Sequence, residues 1–101
     1  MSLEIRACED GTIALSGDLS IYDAATTKAE LLPWLERALE RDTVRLDLSQ
    51  VTELDGAGLQ LLVMGKHLAA EKGRPFRLEA CSAAVSRVLD LLHLDPSLDP
   101  R

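Results

Sequence analysis

The chain has 101 residues, which is room for one domain of ordinary size. Its apolar share is 47%, enough for a core, and that core must be aliphatic because Trp34, Tyr22 and Phe76 are the only aromatics. Eleven Lys and Arg against seventeen Asp and Glu leave a net charge of -6, which repels phosphate backbones and anionic headgroups and argues against nucleic-acid or direct membrane binding. No apolar run approaches the roughly 20 residues of a membrane span. The opening MSLEIRACED lacks the basic and apolar regions of a secretory signal, so a cytoplasmic chain is expected.

Cys8 and Cys81 stand in apolar contexts and are expected to be buried free thiols. His67 and His93 are far apart, with no CxxC, HxH or HExxH nearby, so neither a metal site nor a cofactor is expected.

Leu3 to Cys8 alternates Leu3, Ile5 and Ala7 with Glu4 and Arg6, the two-residue period of a half-buried strand. Asp10-Gly11 supplies a hairpin turn, and Thr12 to Ser16 returns as a second strand ended by Gly17-Asp18. Residues 20–23 hold several helix N-cap candidates. From about Asp23 to Arg41 the apolar positions Ala25, Leu31, Leu32, Leu35, Ala38 and Leu39 recur at helical spacing. Pro33 removes a backbone donor and crowds the carbonyl of Ala29, at about 3 kcal/mol in a straight helix. A kink or a late helix start is expected there.

Thr43 to Leu48 alternates again and reads as a third strand, with Ser49 to Asp55 as a turn holding one more short apolar alternation, Val51 and Leu54. Gly56-Ala57-Gly58 opens a second helix that Lys72-Gly73 stops near Glu71. FRLEA is the fourth strand. Ser82 caps a third helix with Val85, Val88, Leu89 and Leu92 on one face, and Asp95-Pro96 breaks it. The expected fold is a single small α/β domain, a mixed four-stranded sheet with three helices in the order β-β-α-β-α-β-α. It spans residues 1–94, and residues 95–101 form a mobile tail.

The stretch VTELDGAGLQLL carries the most information. Glycines and a carboxylate stand where a strand ends and a helix begins, and a helix start exposes unpaired N–H groups that can hold an anion. Equally, Gly56 and Gly58 can serve a tight turn with Asp55 as its cap. GAGLQL lacks the Lys-Ser/Thr of a phosphate-binding loop and the third glycine of a dinucleotide fingerprint. Along the helix, Leu59, Leu62, Val63, Ala69 and Ala70 make one apolar face, expected on the sheet. Leu61, Met64 and Leu68 make a second stripe, for which a neighbouring helix, a partner or a second copy are the alternatives. His67 is expected to face solvent. No carboxylate pair and no Ser-His-Asp or Cys-His arrangement is spaced for catalysis, so no catalytic residue is assigned.

Asp55, Gly56, Ala57, Gly58 and Leu59 resemble the signature of STAS domains, the family of the bacterial anti-sigma factor antagonists, whose loop reads Asp-Ser-Ser-Gly-Leu or Asp-Thr-Ala-Gly-Leu. LDLSQVTELD, GDLSIYDAA and GRPFRLEACSAAVSRVLDLLHL resemble the family in the same order. The resemblance implies a small cytoplasmic, non-enzymatic switch or adaptor that binds another protein around this loop and helix. In regulatory members a partner kinase phosphorylates the serine before the Gly-Leu pair. Here that place is Ala57, preceded by Gly56, so no hydroxyl is available. Thr52 and Ser49 lie upstream, and ordinary turn or capping bonds are expected of them.

The reading is therefore a protein-binding regulator in a bacterial pathway, either partner switching with an anti-sigma factor kinase or a chemotaxis-type system. Its expected contacts are Asp55, Gly56, Ala57, Gly58, Leu61, Met64 and Leu68. The alternatives are a cytoplasmic STAS subunit of a membrane transporter, such as a phospholipid ABC system, and a sensor of a nucleotide or another small anion.

Overall fold

A computed structural model describes residues 3–20 and 24–101, with the backbone alone for 24–26. The elements follow the expected order: β1 (Glu4–Ala7), β2 (Ile13–Leu19), α1 (Ala24–Ala38), β3 (Val44–Leu54), α2 (Gly56–Glu71), β4 (Phe76–Cys81) and α3 (Ala83–Leu91). The sheet is mixed, in the order β1-β2-β3-β4, with β1 antiparallel to β2 and the other two pairs parallel. The β1–β2 turn is the expected one. Gly11 takes a φ of 89°, the Thr12 N–H donates to the Asp10 carboxylate at 3.0 Å, and that bond holds the Asp10 carboxyl below its usual range.

Ile13, Leu15, Leu46, Leu48 and Leu78 point to one side of the sheet and are at most 2% exposed. Leu31 and Leu35 of α1, Leu62 and Ala69 of α2, and Val85 and Leu89 of α3 close over them in a single core. Between the inward strand positions stand Arg45, Asp47, Arg77 and Glu79, which give the opposite face its charge.

Four elements differ from the sequence reading, each for a physical reason. First, β2 continues through Gly17 to Leu19. Gly17 has a φ of 103° beside a register shift, so a glycine that reads as a stop is a bulge position. Second, β3 is 11 residues long and includes the segment expected as a turn. Ile13 pairs with Leu46 and Leu19 with Leu54, so β3 carries two more residues than β2 over that stretch. The two extra residues are absorbed in bulges, which explains why the inward side chains fall at Leu46, Leu48, Val51 and Leu54, spaced two and then three apart.

Third, α1 starts at Ala24 and runs on through Pro33, which excludes a late start. Ala29 and Pro33 are both exposed, so water can satisfy the carbonyl that Pro33 leaves without a donor. The N-cap candidates at 21–23 and the side chain of Ala25 lie outside the described residues. Fourth, the segment expected as a mobile tail packs on the domain. Leu98 is 6% exposed, and the Leu78 N–H donates to the Pro96 carbonyl at 2.8 Å. Lys66 donates to the Leu98 carbonyl at 2.9 Å and pairs with Asp99. The Asp95 carboxylate accepts from the backbone N–H groups of Ser97 and Asp99, which lowers its pKa. Leu98→Ala should therefore cost about 2 kcal/mol. Denaturant unfolding measures the loss, and amide exchange should show faster opening across 95–101.

Cys8 and Cys81 are free thiols but half-buried rather than buried. Burial pushes the Cys81 thiol up, which keeps it protonated and weakly nucleophilic.

Candidate docking loop

The sequence from Leu54 to Leu59 changes from strand to helix in one residue, and Asp55 makes the change. Its backbone is extended, and its carboxylate accepts from the Gly58 N–H at 2.9 Å. Its own N–H donates to the Leu19 carbonyl at 3.3 Å. The helix start is thus capped from within and tied to the end of β2. Asp55→Ala should lower stability by about 1 kcal/mol, readable as a shift in the denaturation midpoint with an unchanged slope.

Gly58 is buried, and the reason is steric. A Cβ built on it would stand 1.9 Å from the Leu19 carbonyl oxygen. Gly56 has open space around it and faces solvent, and Ala57 is half-buried. Of the four loop positions expected to meet a partner, Gly56 is therefore fully open, Asp55 and Ala57 are partly so, and Gly58 is closed.

On α2 the second apolar stripe divides. Leu61 is 7% exposed and belongs to the core, which corrects its expected place on a docking surface. It lies one turn before Gly65, and Gly65 meets Phe76 of β4 and Leu35 of α1. The neighbouring-helix alternative accounts for it. Met64 and Leu68 are half-buried and keep part of their surface in water. Ala70, expected on the sheet, is exposed, as is His67.

Thr52 is exposed and donates to the Asp18 carboxylate at 2.6 Å, and Ser49 is exposed above Asp47. A cavity of about 300 Å³ opens beside the loop, outside the carboxyl ends of β2 and β3. Ser20, Thr52, Glu53 and Asp55 border it on one side, and Ala84, Arg87 and Val88 of α3 on the other. Arg87 is the residue that sequence reasoning missed. It lies 32 positions after Asp55, and nothing in the local pattern brings α3 beside the loop. Two carboxylates beside one guanidinium make the cavity a poor home for an anion. Among the described residues, no three His, Cys, Asp or Glu side chains are placed to hold a metal ion. No described helix is long and apolar enough to cross a membrane.

Residues 5–99 match the family model described as Mlab, STAS domain. The chain belongs to the STAS domain family. It is 24% identical over 90 residues to the anti-sigma-B factor antagonist of Bacillus subtilis strain 168, covering 89% of this chain and 80% of that one. Among solved structures, an anti-sigma factor antagonist candidate from Thermotoga maritima superposes with a TM-score of 0.70 at 22% identity, over 90% of this chain and 78% of that one. The anti-sigma factor antagonist SpoIIAA in its unphosphorylated form gives a TM-score of 0.69 at 14% identity, over 99% and 88%. These likenesses establish the STAS fold, with its four-stranded mixed sheet and three helices. In this STAS domain, the Asp-Gly-Ala-Gly-Leu loop sits at the strand-to-helix junction that Asp55 caps.

Proposed function

We propose that this STAS domain is a non-enzymatic regulator that binds another protein through the tip of α2. The contact consists of Asp55, Gly56 and Ala57, continued along the helix by Met64 and Leu68. The observation that carries the reading is a solvent-facing helix start without a hydroxyl, next to apolar side chains that are only half covered. The Bacillus subtilis relative, an anti-sigma-B factor antagonist, supports a regulatory role. On this reading the partner is an anti-sigma factor kinase or a chemotaxis-type protein in a bacterial cytoplasm. Ala57 offers no oxygen to a kinase, so docking here is not switched by phosphate at this position.

Affinity capture with the full chain tests this, followed by identification of the captured protein. Met64→Asp and Ala57→Arg should each reduce recovery of a signalling kinase at least tenfold while thermal melting stays cooperative. Undiminished recovery with both variants overturns the docking surface. Phosphate on Thr52 or Ser49 after incubation with the kinase overturns the unswitched reading. A second reading draws on the same loop, because a permanently bound transporter subunit needs no switch. Capture of a membrane ATPase in place of a kinase selects it.

A further inference from the structure

The C-terminal end of α3 leaves two large apolar side chains in water. Leu91 is 73% exposed and Leu92 50%, and they are the exposed large apolar residues among those described. Scattered single leucines are ordinary on a surface. Leu91, however, stands at one end of a shallow groove of about 490 Å³ that Ala83, Ser86, Arg87 and Asp90 line with it. The groove has small residues at its front, a leucine at its back, and one charge of each sign between them.

That order is complementary to itself when reversed. Place a two-fold axis across α3 at the height midway between Val88 and Leu89. Position 87 then lies opposite 90 of the other copy, and position 86 opposite 91. A single register therefore brings each Leu91 level with Ser86 and each Arg87 level with the Asp90 carboxylate of the other copy. We propose that α3 pairs antiparallel with α3 of a second copy of this chain, in an isologous contact. Ala83 and Ser86 permit the close approach that helix packing requires. The Asp90–Arg101 pair, with side chains 66% and 52% exposed, is weak enough to rearrange. Two helices of nine residues cover less than the roughly 1,600 Å² of a standard interface, which places the contact in the weak, transient class.

Sedimentation equilibrium of the full chain from about 10 µM to about 1 mM reads this directly. The average mass should rise toward that of a dimer. Leu91→Asp should raise Kd at least tenfold, and circular dichroism should show its fold intact, since the side chain is exposed. Arg87→Asp and Asp90→Arg should each weaken association, and the two together should restore it. Monomer throughout, a dimer indifferent to Leu91→Asp, or a double variant no tighter than the single ones overturns the pairing. Self-association is read apart from partner capture, so failure of one leaves the other standing.

Discussion

Gly58→Ala should lower the stability of the domain by about 3–4 kcal/mol and the melting temperature by about 15 °C. The added methyl group meets backbone before it meets any side chain that could swing aside. Its nearest atoms, at 1.9 and 2.7 Å, are the carbonyl oxygen and carbon of Leu19, which are backbone. Relief requires either the front of α2 to lift from β2 or the Leu19 peptide to rotate. Lifting α2 lengthens the Asp55-to-Gly58 cap, and rotating the peptide removes the acceptor of the Asp55 N–H. Gly56→Ala is the matched control. Open space surrounds that position, so alanine should be neutral or stabilise by about 0.5 kcal/mol. Chemical denaturation of the two variants side by side checks the claim, and equal effects would contradict it.

Leu61→Asp should unfold the protein or cost about 4 kcal/mol, whereas Met64→Asp should cost about 1 kcal/mol. The two residues are three apart on α2 and look alike in sequence. Leu61 is 7% exposed and belongs to the apolar core cluster, so a carboxylate there loses both its packing and its water. Met64 keeps an edge in solvent to which a carboxylate can turn. Far-ultraviolet circular dichroism during heating separates the two outcomes. The contrast also decides how docking experiments are built, because a capture assay with Leu61→Asp would report unfolding rather than a lost contact.

Much of the fold was legible because alternation and helical spacing both survive in this chain. Val44 to Leu48 and Phe76 to Leu78 keep a two-residue period, and Ser82 and Asp55 announce their helices as caps. The failures occur where the period slips or where a distant segment supplies the partner. Val51 and Leu54 are strand residues displaced by bulges, so a pattern fixed at two treats them as a turn. The second stripe of α2 could not be divided from sequence, because its division depends on α1 and β4 closing on α2 around Gly65, and both are distant in the chain. Leu98 reads as part of a polar end until Lys66 and the β4 edge are seen to hold it. The loop itself was legible from Asp55 and its glycines, but its neighbour Arg87 was not.

The surplus residues of β3 have a bearing on sequence change. In an ordinary strand, dropping a single position turns every later side chain inside out. Here Ser49 or Gln50 could be deleted with no such inversion. Leu48 would then stand two before the old Val51, flush against β2, and Asp55 would still arrive at the same spot. The same deletion between Val44 and Leu48 would drive charge inward. Length variation in this strand should therefore be tolerated at its midpoint and punished at its beginning.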